Sequence, residues 1–151
     1  MNVVRLVGDD TIAINGRILN DFAHGEIGKI DFPTDIVTVK TGKNGNTIYA
    51  KNATGNQATL ELKLLRGSND DAFLNTQLAL YNSDSTRYVL MNGSIVKNLG
   101  MGDGNVKTDT YQLTGGVISK NVSVSANVEG DVEQALSVYT MIFALAPRTI
   151  S

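Results

Sequence analysis

Leu60, Leu62 and Leu64 alternate with Thr59, Glu61 and Lys63, so an extended chain turns its leucines to one side and its charges to the other. The alternation predicts a half-buried strand, broken by Gly67. The period then changes. Ser68 or Asn69 can cap a helix, and Asp70 and Asp71 sit where the positive end of a helix dipole favours carboxylates. Leu74, Leu78 and Tyr81 recur at i, i+4 and i+7 with Phe73 beside them, which predicts a helix over about 69–82 with its apolar stripe on a sheet. No second convincing helix is found, so the pattern describes a mainly β domain with one flanking α-helix.

The chain opens with a predicted hairpin, because Thr11–Ile14 and Arg17–Phe22 flank Asn15-Gly16, two residues that tolerate positive φ. Further strands are expected at Glu26–Phe32, ended by Pro33, at Asp35–Val39 and at Thr47–Lys51. The polar, glycine-rich turns at 40–46 and 52–56 bracket an arm that is poorly buried in a single copy. Arg87–Val96 and Asp109–Thr114 read as strands on either side of a loop from Leu99 to Asn105.

After Gly115 and Gly116, Ile118, Val122, Val124, Ala126 and Val128 alternate with Ser119, Asn121, Ser123, Ser125 and Asn127, giving one dry face and one wet face. Lys120 falls on the dry face, where its stem can run along the sheet to an edge. A turn follows at Glu129–Asp131. In the last segment, Ala135–Leu145, Val138, Ile142 and Ala144 share one face while Tyr139, Met141, Phe143 and Leu145 share the other. A strand apolar on both sides is central in the core or meets another subunit. A helix is the alternative there, since Glu133, Gln134, Ala135 and Leu136 favour one. There is no internal repeat.

Composition narrows the function. At 151 residues the chain fits one domain, and 42% hydrophobic with 19% charged residues excludes a disordered or collagen-like chain. Cysteine is absent, which removes disulfides and thiolate zinc sites. The apolar patch at Met1–Gly8 is too short for a signal peptide, and no run of about eighteen apolar residues occurs, so folding in a cytoplasm without membrane insertion is expected. A net charge of −2, with Lys and Arg spread along the chain, argues against tightly held nucleic acid.

Chemical motifs are weak. The one histidine, His24, lies in a turn and cannot build a histidine triad or metal cluster. Gly100-x-Gly-x-Gly lacks a following helix, and Gly42-Lys43 lacks both the earlier glycine and the magnesium-binding hydroxyl of a phosphate loop. Asp9-Asp10 and Asp70-Asp71 are paired only in sequence, and helix-start charge explains the second pair. Asn52, Asn92 and Asn121 match glycosylation acceptors by chance in the absence of a secretory signal. No cofactor, metal or catalytic group is called for.

The order of elements then carries a resemblance. The opening hairpin, Asn20-Asp21-Phe22, Phe32–Val37, Val39–Ala50, the Leu65–Asn75 junction and Val132–Thr140 together resemble a tail tube protein of contractile-tailed bacteriophages, over nearly all of the chain. The resemblance implies an antiparallel β-sandwich or barrel with one flanking helix, and hexameric rings stacked as a hollow tube inside a sheath. It implies as partners the protein itself, a tail sheath protein, a tape-measure protein and phage DNA in transit without tight binding. The location would be the virion tail, assembled in the host bacterial cytoplasm. It assigns inter-ring contact to the arm, with Lys40, Thr41, Gly42, Lys43, Asn44, Asn46, Tyr49 and Asn52 as candidates, and a subunit interface to Tyr139, Met141, Phe143 and Leu145. Two faces are candidates for the bore: the small polar set Ser119, Asn121, Ser123, Ser125 and Asn127, which is preferred, or the mixed Thr59, Glu61, Lys63 face. An inner tube protein of a phage-derived contractile injection system would share this pattern. A monomeric β-sandwich binding module for sugars or peptides is a further alternative, disfavoured by 6% aromatic residues and no Trp.

Overall fold

The computed structural model describes residues 2–7, 10–22, 26–53, 55–100, 102–124 and 135–150. In chain order it contains β1 (Asn2–Val7), β2 (Thr11–Ile14), β3 (Arg17–Leu19), β4 (Glu26–Phe32), β5 (Val37–Thr41), β6 (Thr47–Lys51), β7 (Ala58–Leu65), α1 (Asn69–Ser83), β8 (Met91–Gly100), β9 (Val106–Ile118), β10 (Ser123–Val124), β11 (Leu136–Leu145) and β12 (Arg148–Ile150). The main antiparallel sheet runs β1-β4-β7-β11-β9-β8-β2-β3, with β10 added to β11 and β12 to β9, while β5 and β6 form a separate ribbon.

The expected hairpin forms where Asn15 and Gly16 supply φ of 52° and 81°, the left-handed pair that a two-residue turn needs to match strand twist. The leucines of β7 are fully buried at Leu60, Leu62 and Leu64, and the residues between them are half-buried. The sheet curves around this core. Phe32 on β4 and Tyr111 on β9 belong to strands that are not neighbours, yet their ring centroids lie 6.1 Å apart. The chain leaving β3 returns to β7 through a bridge between Phe22 and Leu64 and a Leu65 N–H bond to Asp21 O at 2.9 Å. β4 has stopped pairing with β7 at Leu62, so that stretch of edge is free to receive it.

The helix spans Asn69–Ser83 and is capped by Ser68, whose Oγ accepts the Asp71 N–H at 3.2 Å while Asp71 Oδ2 accepts the Gly67 N–H at 2.8 Å. Asp70 does more than face a helix dipole. It is 3% exposed and accepts Arg17 Nε at 3.0 Å, Asn20 N–H at 2.6 Å and Asp21 N–H at 2.9 Å, which ties the helix start to the β3 end of the sheet. Leu74 is buried, and Phe73 and Leu78 pack against the core. Tyr81 instead meets Tyr88 edge-on at 5.4 Å, so the stripe reaches the core only as far as Leu78.

Three expectations change. The strand expected from Arg87 begins at Met91, leaving Val89 83% and Leu90 51% exposed. The glycine pair does not end a strand: β9 runs through it, and Gly116 lies beneath the Phe143 ring, where an added Cβ would be 2.2 Å from Cε1. The alternation after Ile118 does not form one long strand. Ile118 pairs with Met141 and Ser123 with Val138, so one side advances five residues while the other advances three, and the excess leaves 119–122 outside any ladder. Lys120 is exposed rather than lying along a dry face, and Val124 is 49% exposed. His24, Ser125, Asn127 and the 129–131 turn fall outside the described residues.

Candidate assembly surface

The arm is built from its base outward. The Asn52 side chain donates from Nδ2 to Asp35 O at 2.8 Å and to Thr38 Oγ1 at 2.9 Å, and its backbone N–H bonds Ile36 O at 2.8 Å. Asn52 thus uses its side-chain amide to close the base of the arm. β5 and β6 pair Val37 with Lys51, Thr38 with Ala50, Val39 with Tyr49, Lys40 with Ile48 and Thr41 with Thr47. Directly paired residues share a face, so Val37, Val39 and Tyr49 lie on one side and Ile48 on the other.

Every residue of both strands is exposed, including Val39 at 54%, Ile48 at 69% and Tyr49 at 72%. A two-stranded ribbon with both faces in water is marginal by itself, and its apolar side chains gain only when covered. The tip, Gly42 to Asn46, is held by Gly42 N–H to Asn46 O at 2.7 Å. Lys40, Lys43 and Lys51 face no acidic residue anywhere between positions 36 and 56, so the arm is positively charged as well as apolar.

The outward face of the main sheet joins the two surfaces that the sequence left as alternatives. Lys29, Glu61 and Thr140 form one cross-strand row, Asp31, Thr59, Ile142 and Val117 a second, and Lys63, Val138 and Ser123 a third. Ser119 bonds Thr140 O through its N–H at 2.9 Å and its Oγ at 3.3 Å. Ser119 and Ser123 therefore border the same face as Thr59, Glu61 and Lys63. Asn121 is exposed in the segment between them. Two lysines and two carboxylates balance on this face, with Lys29 Nζ 4.0 Å from Glu61 Oε2. Asp31 Oδ1 is buried without a hydrogen-bond partner among the described residues.

The proposed interface on the last strand is corrected. Tyr139 is 1% exposed and Met141 and Phe143 are 0% exposed inside the subunit's own core, so they cannot reach another copy. β11 is apolar on both sides because it is central, flanked by β7 on one edge and by β9 and β10 on the other, with Val138 and Ile142 half-buried on the outward face. Leu145 alone of the four is open, at 50%. Sequence reading missed the edge strand β1, although Gly8-Asp9-Asp10 follows its short apolar run as a turn signal, and the exposed Val89-Leu90 pair. An edge strand leaves one row of backbone groups unpaired within the subunit.

The described residues contain no group of three His, Cys, Asp or Glu placed to hold a metal ion. No helix among the described residues is long and apolar enough to cross a membrane. The Gly100-x-Gly-x-Gly run turns the β8–β9 hairpin, with Asp103 Oδ1 accepting the Asn105 N–H at 3.0 Å.

No family model matches the chain, and no curated protein does. Solved structures do. A chain in the cryo-EM structure of the anti-feeding prophage cap, the AFP tube terminating cap, matches with a TM-score of 0.59 at 9% identity, covering 95% of this chain and 89% of that one. A chain of an extracellular contractile injection system, in the PVC sheath-tube complex in its extended state, matches with a TM-score of 0.61 at 6% identity, covering 97% and 91%. A chain of the anti-feeding prophage baseplate matches with a TM-score of 0.57 at 12% identity, covering 99% and 97%. The fold is shared. It is the fold of components of contractile, phage-tail-like particles, and at these identities the likeness is one of fold alone.

Proposed function

We propose that this protein is a structural subunit of a contractile tail or tail-like injection particle, which assembles into rings that stack as the hollow inner tube. The observation that carries the reading is the β5–β6 arm, which exposes Val37, Val39, Ile48 and Tyr49 and is closed at its base by the bonds of Asn52 to Asp35 and Ile36. A neighbouring copy would cover it and offset the cost of ordering it. The lateral edge of β1 would extend the sheet from one subunit to the next and so remove an unpaired edge.

The outward face bearing Thr59, Glu61, Lys63, Ser119 and Ser123 would line the bore, which holds the tape-measure protein and passes the genome; its charges balance, so no large positive patch would retain phosphate. A sheath would surround the tube. An inner tube of an injection machine is the second reading, favoured by the solved structures of that kind that share the fold. Electron microscopy of the purified protein in negative stain tests the proposal. Rings or tubes are expected without nucleotide, metal or reductant, and a protein that stays monomeric at high concentration overturns it.

A further inference from the structure

The dipeptide Asn-Gly occurs three times, at Asn15-Gly16, Asn44-Gly45 and Asn92-Gly93. Its intrinsic reactivity is the same each time, because glycine leaves the next backbone nitrogen open to the asparagine side-chain carbon. The fold makes the three unequal. Asn15 is fixed by a bond from its N–H to Asn92 O at 2.7 Å and by its Oδ1, which accepts the Asn92 N–H at 3.0 Å. Asn92 and Gly93 lie within β8, where Gly93 is held between Ile14 and Leu113 and an added Cβ would fall 2.6 Å from Ala13 O. Asn44 is exposed at the arm's tip, and the ribbon that carries it shares no ladder with the main sheet. One turn bond, Gly45 N–H to Gly42 O at 3.0 Å, restrains the nitrogen beside it.

We propose that Asn44 is a site of spontaneous covalent modification selected by the fold. The Gly45 backbone nitrogen loses its proton to solvent base and bonds to Asn44 Cγ; the bond from Cγ to the side-chain nitrogen breaks and ammonia leaves with a proton from water. The resulting cyclic imide takes up one water and opens at either carbonyl, giving aspartate or isoaspartate, with no change of oxidation state. A carboxylate then stands in a segment that otherwise carries Lys40, Lys43 and Lys51 and no acid. The isoaspartyl product also lengthens the tip backbone by one carbon. Opening of the turn bond is the local step that sets the rate, so contact that immobilises the arm slows the reaction. That last point rests on the proposed assembly, whereas the choice of Asn44 does not.

The purified protein is incubated in mildly alkaline buffer, digested with a protease that cuts after acidic residues, and followed by mass spectrometry with fragment sequencing. Acid product is expected at Asn44 at least severalfold faster than at Asn15 or Asn92, with the difference collapsing in concentrated urea, and with Asn44→Ser abolishing the signal from the arm. Conversion of Asn15 or Asn92 as fast as Asn44 in the folded protein overturns the proposal, and so does a ranking that persists unchanged in urea. Where rings or tubes form, the sedimented fraction is expected to convert more slowly at Asn44 than the free fraction; equal rates overturn the protection by assembly and leave the selection of Asn44 judged by the first comparison.

Discussion

The Tyr139 hydroxyl donates to Asp71 Oδ1 at 2.6 Å, joining the middle strand of the sheet to the first turn of the helix across 68 positions of sequence. Ser137 Oγ donates to the other oxygen, Oδ2, at 3.0 Å. Asp71 is therefore at once a helix-start charge, a reciprocal cap and the anchor of α1 on β11.

Tyr139→Phe removes the strongest of these bonds and leaves the ring in place. A loss of about 1.5–3 kcal/mol is expected for a hydrogen bond to a charged group, measured by urea unfolding. Burial, then the bond and the charge of Asp71, holds the Tyr139 phenol well above its ordinary 10.0. The unfolded phenol ionises first, so this contribution is complete below pH about 10 and falls as pH rises beyond it. The phenylalanine variant should lose part of that alkaline decline.

Acid acts on the other carboxylate of the pair. Burial pushes the Asp70 carboxyl up, but the N–H groups of Asp21 and Asn20 and the Arg17 guanidinium outweigh it and hold the group below its ordinary 3.8. Its contribution is present above the unfolded value and is lost as pH falls through the folded one. Thermal melts should therefore drop below pH about 4, and Asp70→Asn should lower the neutral-pH midpoint while flattening that acid limb.

Arg148 meets Asp109 through two bonds, Nε to Oδ1 at 2.8 Å and Nη2 to Oδ2 at 3.0 Å, and so fastens the three-residue β12 to β9. Arg148→Ala should release that strand. Hydrogen exchange is expected to accelerate at 148–150 and 109–111 while β7 and β11 keep their protection, and a uniform rise across the sheet would contradict a local clamp.

Gly116 has the Phe143 ring where its side chain would be. Gly116→Ala should cost about 1–3 kcal/mol through overpacking, and shortening the opposing residue with Phe143→Leu should recover part of it. A double variant no more stable than additivity allows would argue against direct contact as the cause.

The arm separates assembly from folding. Val39→Ser with Tyr49→Ser alters side chains that touch water in the single copy, so stability should shift by no more than about 0.5 kcal/mol for each change. Sedimentation and electron microscopy should show loss of rings or tubes, and full assembly by this variant would remove the arm from the proposed contact.

What the amino-acid order determined by itself is local. Asn15-Gly16, the alternation through Leu60, Leu62 and Leu64, and the Ser68 cap with its acidic first turn each act within a few residues, and each element stands where its residues predicted it. The main helix and strand content of the fold follows from such signals. Which strand lies between which was decided only by the tertiary structure, because a ladder pairs residues far apart in the chain. Tyr139, Met141 and Phe143 look like an interface in sequence and are core because β7 and β9 close over both edges of β11. Ser119 and Ser123 share a face with Lys63 only because β10 and β7 meet the same strand from opposite sides, and the alternation between them fails because two extra residues have no partner along it. Alternating side chains define two faces of a strand; the pairing of strands, paid in long-range contacts, defines what each face touches.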